Sequence, residues 1–262
     1  MEYLFIFIAC IATSYGAPPV SVSSPKILVV GGQPALKNEF PYQISLQRNG
    51  RHICGGAIIS ERAVLTAAHC VQLGEVQEFV VVAGDHSLIN DDGTEQRRNV
   101  SAKILHPNYD AWTVFNDVAL LTLTTPLTLN GAVNAIILPP EGHLAVGVGL
   151  ASGWGISNQE EDKLSDILQK VGVPLATDEI CREAYDPTDI LDSMLCAGFP
   201  SGEHDVCRGD AGGPLVCFDR PVPYLCGIFS WQHTNCGEPN FFSVYSEVSY
   251  FTQWISSTIG QI

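Results

Sequence analysis

The segment Cys207-Arg-Gly-Asp-Ala-Gly-Gly-Pro214 is the most informative stretch of this sequence, and two upstream segments complete its pattern. Leu65-Thr-Ala-Ala-His-Cys70 places a histidine directly beside a cysteine, and Phe115-Asn-Asp-Val-Ala-Leu-Leu121 places an aspartate at the start of an apolar strand. Each segment alone has an ordinary explanation, because single histidines and glycine-rich turns are common. The three together, in this order, indicate one site assembled from distant parts of the chain.

The sequence around these segments is typical of an all-β protein. Short β-rich runs alternate with Gly, Pro and Asn turns, and the clearest are Tyr42–Leu46, Ala63–Thr66, Phe79–Val82 and Val118–Leu123. Many strands at short spacing predict a sandwich or a barrel. The end of the chain differs, because helical spacing there predicts one amphipathic C-terminal helix containing Val248, Phe251, Trp254, Ile255 and Ile259.

Composition and charge restrict the classes of function. Of the 262 residues, 46 % are hydrophobic and 16 % charged, as expected for an ordered globular protein of one enzyme-sized unit or two domains. The net charge is −15, from 13 basic and 28 acidic residues. This charge excludes nucleic acid as a partner, because a polyanion is repelled. Solubility explains the acidity, and attraction of cationic partners is the alternative explanation.

The N-terminus predicts secretion. Residues 3–12 form a short apolar run, and the small residues Ser14 and Gly16 suit cleavage before Ala17, so residues 1–16 are predicted to be a signal peptide. The run is too short to span a bilayer, and no membrane association is expected. Residues 17–28, rich in Pro, Ser and Val, are interpreted as a propeptide-like segment, and residues 29–262 as the folded domain.

The cysteines agree with an extracellular protein. Cys10 lies in the apolar run and would be removed with it, which leaves an even number in the mature chain. In a secreted protein an even set predicts disulfides, but spacing alone leaves the pairing open. No zinc-type CxxC pairs occur, which argues against a structural metal. The set is Cys54, Cys70, Cys181, Cys196, Cys207, Cys217, Cys226 and Cys236.

From Val29 to Ile262 the sequence resembles the chymotrypsin-like serine peptidases, and among them the invertebrate trypsins. The resemblance implies two packed six-stranded antiparallel β-barrels with a C-terminal α-helix, the halves spanning about 29–138 and 139–262 and the site lying between them. The motifs that carry it are Val30-Gly-Gly32, Phe40-Pro-Tyr-Gln43, Cys54-Gly-Gly56, Ala67-Ala-His-Cys70, Ser152-Gly-Trp-Gly155, Gly209-Asp-Ala-Gly-Gly-Pro214 and Ser230-Trp231.

The same resemblance implies a disulfide pattern. The family's pairing, carried over to this chain, joins Cys54 to Cys70, Cys181 to Cys196 and Cys207 to Cys236. Cys217 and Cys226 are then left to bridge a hairpin.

The resemblance also implies the catalytic roles. His69 matches the general base and Asp117 the carboxylate that orients it, while the backbone of Gly209 and Ala211 matches the oxyanion hole. The family's nucleophilic serine should follow Asp210, but that position is Ala211. A methyl group has no lone pair with which to attack a carbonyl, so the chain is expected to be inactive.

The specificity pocket departs from the trypsin pattern as well. Asp205 matches the carboxylate at the pocket floor that pairs with a substrate Lys or Arg. The two positions that are glycine on the pocket walls of trypsins match Gln232 and Ser243 here. The pocket is therefore expected to be narrowed or blocked.

The activation site is the third departure. In the family, cleavage after a basic residue frees an ammonium group that pairs with the carboxylate matching Asp210. Here the matching N-terminus is Val29, which follows Leu28, and the nearest basic residue, Lys26, is displaced by two positions. Either a protease that cuts after leucine processes this chain, or Asp210 never receives its ammonium and is a candidate for a zymogen-like carboxylate. Three independent departures favour natural loss of catalysis over a substitution made to trap substrate.

Two smaller sites complete the predictions. Asp85, Asp92 and Glu95 fall on the carboxylate positions of the family's calcium loop, and hard oxygen ligands suit Ca²⁺. Because Asp85 is shorter than the usual Glu, an acidic loop without metal is the equal alternative, and no other cofactor is expected. Asn99-Val-Ser101 is a glycosylation sequon, used or unused.

The main hypothesis is a secreted, monomeric, catalytically inactive trypsin-like protein that acts by binding, as a decoy or regulator of proteolysis. Its expected partners are proteins or peptides, such as protease inhibitors or the substrates of active relatives. The alternative is a serine endopeptidase of Lys/Arg specificity whose nucleophile is altered in this chain. A purely structural or storage role is a third hypothesis.

Overall fold

The computed structural model describes residues 32–158, 163–202 and 205–260. The predicted signal peptide and propeptide-like segment lie outside these residues. None of the helices in the described ranges has the length and apolarity needed to cross a bilayer.

The described chain is built mainly of β-strands. It has two α-helices, α1 at Asp178–Ala184 and α2 at Val248–Ile259, and a short 3₁₀ helix at Val76–Glu78. The strands, in chain order, are β1 Gln33–Pro34, β2 Gln43–Arg48, β3 Arg51–Ser60, β4 Ala63–Thr66, β5 Phe79–Ala83, β6 Gln96–Leu105, β7 Ala119–Leu123, β8 Val148–Gly153, β9 Ile156–Asn158, β10 Lys163–Leu164, β11 Gln169–Pro174, β12 Met194–Ala197, β13 Pro214–Cys217, β14 Tyr224–Trp231 and β15 Ser243–Glu247.

The first six long strands close into a barrel in the order β2-β3-β4-β7-β6-β5. β4 and β7 are buried along their whole length. Successive side chains of a strand point to opposite faces, and in these two strands both faces are covered. Val64 and Leu121 belong to the cluster that fills the barrel. Their chain neighbours Leu65 and Leu120 belong to a second cluster, which contains Phe251 of α2. One strand face therefore makes the barrel core and the other receives the helix.

The second sheet has seven strands in the order β1-β11-β8-β13-β14-β15-β12. Six of them curl back on themselves, because Leu175, just after β11, forms a bridge with Ala197 at the end of β12. The N–H of Ala176 also donates to the carbonyl of Cys196 at 2.9 Å. The prediction of a six-stranded second barrel thus needs one correction: β1, which lies in the first half of the sequence, adds a seventh strand beside β11.

The first strand and the last helix of the described chain connect the two halves. β1 pairs with the second sheet, while α2 packs between the first barrel and β14 of the second sheet. The predicted C-terminal helix is confirmed, and the fold class, mostly β with the trypsin-like double barrel, is confirmed too.

The sequence analysis missed the short helix α1. Thr177 caps it, since its side chain accepts a hydrogen bond from the N–H of Ile180. Asp178 and Glu179 lie in the first turn and Arg182 in the last, which is the charge order that favours a helix. A capping threonine before two acidic residues was the available signal.

Four disulfides tie the described chain together. The bridge nearest the candidate site joins cysteines 16 residues apart, a loop for which the reduction in unfolded-state entropy contributes about 3 kcal/mol. The bridges are Cys54–Cys70, Cys181–Cys196, Cys207–Cys236 and Cys217–Cys226.

Candidate active site

His69 and Asp117 meet because their strands are neighbours. His69 lies in the turn that follows β4, Asp117 precedes β7, and the register pairs Thr66 with Ala119. The Asp117 carboxylate accepts from both the ring Nδ1 of His69, at 2.7 Å, and its backbone N–H, at 2.8 Å. This contact assigns the ring proton to Nδ1 and leaves Nε2 as the basic nitrogen.

The second barrel completes the support of Asp117. The hydroxyl of Ser230 donates to the carboxylate at 2.5 Å, and the hydroxyl of Ser246 donates to the backbone carbonyl at 2.7 Å. Asp117 is 1 % exposed, so these donors replace the water that an ionised carboxylate would otherwise bind. Sequence reasoning assigned no role to either serine. Ser230 was found only as part of the Ser230-Trp231 motif.

The glycine-rich turn is fixed by backbone geometry and lies between the two barrels. Gly209 has a φ of 98°, and a Cβ there would lie 2.4 Å from a methyl carbon of Leu164, so only glycine fits. The carbonyl of Ala211 accepts from the N–H of Gly55 at 2.7 Å. The Ala211 methyl is partly buried and contacts the cores of both barrels.

His52 supports the same turn from behind. Its Nε2 lies 2.9 Å from the carbonyl of Gly209, and its Nδ1 lies 2.8 Å from the hydroxyl of Ser45. Burial lowers the pKa of His52, so the ring is neutral, with Nε2 donating and Nδ1 accepting. This histidine positions backbone and is distinct from the candidate base.

The comparisons with known proteins agree with this geometry. A family model described as trypsin matches residues 29–255. The chain belongs to the trypsin family. Trypsin-1 of Astacus astacus is 42 % identical over 236 residues, covering 87 % of this chain and 99 % of that protein. A trypsin of Xenopus laevis is 38 % identical over 232 residues, with 88 % and 91 % covered. Serine protease 1 of Rattus norvegicus is 38 % identical over 232 residues, with 88 % and 90 % covered.

The residues matched to the trypsin specificity pocket lie in direct contact. Asp205, 5 % exposed, accepts hydrogen bonds from the N–H groups of Val206 and Gly237, at 2.9 and 3.1 Å, and from the hydroxyl of Ser243, at 2.5 Å. Burial raises the pKa of Asp205 to about 6 even so. The floor carboxylate is thus supplied with donors from its own chain.

Gln232 extends this chain of hydrogen bonds. Its side-chain amide lies 3.3 Å from the Ser243 hydroxyl. A hydroxyl carries one proton, and that proton goes to Asp205 at the shorter distance, while the NH₂ of Gln232 donates to the Sγ of Cys236 at 2.7 Å. Ser243 therefore lies between the Gln232 side-chain oxygen and the Asp205 carboxylate.

Asp210 is buried beneath the turn. It is 2 % exposed and accepts from the N–H groups of Gly155, at 2.6 Å, and Cys207, at 2.9 Å. A Cβ on Gly153 or Gly155 would lie within about 2.2 Å of its carboxylate oxygens, so two glycines make room for it. Burial raises the pKa of Asp210 to about 6, and the charge of Asp205 adds to the effect. In the described part of the chain no cationic side chain pairs with it. The predicted partner, an ammonium at Val29, lies outside the described residues.

The acidic loop is arranged around its own donors. The carboxylate of Glu95 accepts the N–H groups of Asp92 and Thr94, and the ammonium of Lys37 lies 3.1 Å from a carboxylate oxygen of Asp92. The other Asp92 oxygen is buried without a hydrogen-bond partner. Burial first, then the charge of Glu95, raises the pKa of Asp85 to about 7.

These carboxylate oxygens are of the type that binds a hard cation, but they are too far apart to coordinate one together. Within the described ranges, the ligand atoms of Asp85, Asp92 and Glu95 do not all lie within 4.8 Å of one another. Calcium binding stays a prediction that requires them to close together. Asn99 of the sequon is exposed on β6, and its glycosylation also stays a prediction.

Proposed function

We propose that this trypsin-family chain is a secreted serine protease homologue that does not cleave peptide bonds and acts by binding proteins or peptides, as a decoy or regulator of proteolysis. The observation that carries the proposal is Ala211, which occupies the central position of the glycine-rich turn while His69 and Asp117 keep a base-and-carboxylate contact of 2.7 Å.

The chemistry of the alanine side chain supports the first part of the proposal, the loss of peptide-bond cleavage. His69 can accept a proton, but the side chain at 211 offers neither a proton nor a lone pair. For the triad of this enzyme family, loss of one member leaves roughly 10³–10⁴-fold rate enhancement over water, a value that comes from active relatives rather than from this chain. Such a rate is negligible for digestion.

The pocket contacts support the same proposal. A substrate Lys or Arg would have to displace the Ser243 hydroxyl from Asp205 and then move Gln232 aside. Each displaced group would lose a buried hydrogen bond, and an unpaired buried polar group costs about 1–3 kcal/mol. Binding of a basic side chain in the trypsin manner is therefore opposed even before the chemical step.

Secretion is supported by the four disulfides and by the family, whose relatives above are trypsins and a serine protease. Disulfides persist in oxidising compartments and are rare in the reducing cytosol. They also suit a binding protein, because a cross-linked scaffold presents surface loops at a lower entropic cost.

The test is amidase activity of the secreted, purified chain on peptide amides with Lys, Arg, Phe or Leu before the scissile bond. We expect no turnover above buffer, with the trypsin of a relative as the positive control. Turnover that follows the protein through successive columns would overturn the proposal. Capture of protein partners from the secreted fluid, compared with a reduced and unfolded control, separates binding from a structural or storage role.

A further inference from the structure

Trp112 is the most exposed large hydrophobic residue of the described chain, at 96 %. It lies in the loop between β6 and β7, five residues before Asp117. The Asp110 carboxylate accepts the N–H groups of Trp112 and Thr113, at 2.8 and 3.0 Å, and the Asp110 N–H donates to the Phe115 carbonyl at 3.1 Å. The loop is therefore an ordered turn that holds its indole in solvent.

The loop is anchored at a definite place. Phe115 packs against a cluster that includes Ile190 and Met194, on the segment from α1 to β12. Val114 has a φ of 58°, a left-handed conformation that is unfavourable for a β-branched residue. Such a conformation persists only where the surroundings impose it, and here the packing of Phe115 does so. Trp112 is thus presented beside the surface that carries α1.

That surface is strongly acidic. Residues 139–262 contain 17 acidic and five basic residues, and six acidic side chains are concentrated and exposed between positions 178 and 192. The basic residue within this stretch, Arg182, is already engaged by Asp192 at 2.6 Å and Asp178 at 3.7 Å. The acidic surface consists of Asp178, Glu179, Glu183, Asp186, Asp189 and Asp192.

A buried carboxylate adjoins the acidic surface. Glu247 is 8 % exposed, and its N–H donates to the carbonyl of Ser193 at 2.9 Å, next to Asp192. Its carboxylate accepts from the hydroxyl of Ser249, at 3.0 Å, and no described ammonium or guanidinium pairs with it. Burial first, and then the charges of Asp178 and Asp192, raise the pKa of Glu247 to about 7. Among the described residues, Arg182 is thus the cation of this acidic region, and it is engaged by Asp178 and Asp192 rather than by Glu247.

We propose that Trp112 and the acidic surface form a docking site for a basic polypeptide, whose Lys or Arg side chains lie on the indole face and between the carboxylates. The proposal rests on the proposed binding function and names the chemical class of the partner. It does not use the blocked specificity pocket.

Charge complementarity selects this occupant over an apolar one. An apolar partner would strip water from six carboxylates without replacing it, which costs free energy. A cation over a tryptophan face is attracted by the ring quadrupole, and flanking carboxylates steer the cation toward the site. Tryptophan is also enriched at interface hot spots, which a polar rim surrounds.

Fluorescence anisotropy with the full secreted chain tests the proposal. The probe is a fluorescein-labelled peptide of alternating arginine and serine, and the control peptide alternates glutamate and serine. We expect the arginine peptide to bind, with Trp112→Ala weakening the affinity about fivefold and Trp112→Phe weakening it less, because phenylalanine keeps a π face. Affinity should fall as salt rises, since the carboxylates are exposed.

Matched charge variants complete the design. Glu183→Gln, on the acidic surface, should weaken binding by about two- to threefold, whereas Glu61→Gln, an exposed glutamate of the first barrel, should leave it unchanged. Circular dichroism verifies that each variant is folded. Equal affinity of the Trp112→Ala variant, equal binding of the glutamate peptide, or no binding of the arginine peptide would each overturn the proposal. Because the readout is equilibrium binding, it is separate from amidase activity, whose detection would overturn the proposed function alone.

Discussion

Replacing Asp210 with asparagine should change the pH dependence of stability in a way that reports whether the chain is processed. In the uncleaved chain Asp210 is buried and accepts two backbone N–H groups without a described cationic partner. Burial raises its pKa from 3.8 to about 6. A carboxyl whose pKa is higher in the folded state than in the unfolded state contributes to the free energy of unfolding at low pH. This contribution is lost as the pH rises through the pKa of the folded state.

The magnitude follows from the two pKa values. Ionising Asp210 in the folded state is harder than in the unfolded chain by about 3 kcal/mol, which corresponds to the rise from 3.8 to about 6. Asparagine does not titrate, so the variant does not show this loss of stability with rising pH. Asparagine also changes the contacts with Gly155 and Cys207, but that offset does not depend on pH. The stability of the parent minus that of Asp210→Asn should therefore fall by about 3 kcal/mol between pH 3.5 and pH 7.

The assay is urea unfolding of both proteins with the disulfides intact, followed by tryptophan fluorescence at several pH values. Mass spectrometry of the same samples establishes the N-terminus. We expect it near Ala17, because Leu28 precedes Val29 and offers no basic cleavage site. Asp205, whose pKa is also raised to about 6, is present in both proteins, so the effect of its own burial cancels in the difference, and what remains is its charge interaction with Asp210.

The opposite slope would refute this reasoning. An ammonium at Val29 that reaches Asp210 would lower the pKa of the carboxyl, so the parent would gain stability relative to the variant as the pH rises. Such a curve, together with a dominant N-terminus at Val29, would show that activation cleavage persists and that the departure at Leu28 has no consequence.

Two further predictions concern the pocket and the acidic loop. Ala211→Ser alone should leave kcat/KM on Lys and Arg amides at least 10²-fold below that of a trypsin, because Ser243 hydrogen-bonds to the Asp205 carboxylate and Gln232 lies beside Ser243. Adding Gln232→Gly and Ser243→Gly should raise kcat/KM, and a trypsin-like value for the single variant would show that these side chains do not obstruct the substrate. Calcium should raise the Tm of Lys37→Gln more than that of the parent, measured against EDTA, because Lys37 competes for Asp92. Proton competition at Asp85 should weaken that effect below about pH 7, and equal shifts in both proteins would contradict the role assigned to Lys37.

Much of the fold was predictable from local patterns. The strand at Ala63–Thr66 has the predicted bounds, and the helix Val248–Ile259 contains every residue of the predicted apolar face. The strand was accessible as a short, nearly continuous apolar run, and the helix because an amphipathic helix repeats its apolar residues at a fixed period. Helix α1 was missed, because seven residues are too few to show such a period.

The amino-acid sequence is enough to identify the groups that are available for chemistry. His69, Asp117 and Ala211 can be named from three short segments, and the absence of a hydroxyl at 211 is a property of the residue that no folding can change. The departures from the family pattern at Leu28 and Gln232 can likewise be identified from their positions beside the quoted motifs. Covalent structure decides such questions before any contact forms.

The surroundings of those groups depend on how distant parts of the chain pack together. Ser230 and Ser246 lie 113 and 129 residues from Asp117 in sequence, yet both donate to it, because the second barrel packs across the first. The same packing buries Asp210 beneath two glycines and places Phe115, three residues after Trp112, against the segment that runs from α1 to β12. Burial, and with it the pKa of a carboxyl, depends on which distant atoms exclude water, and no local pattern in the sequence records that.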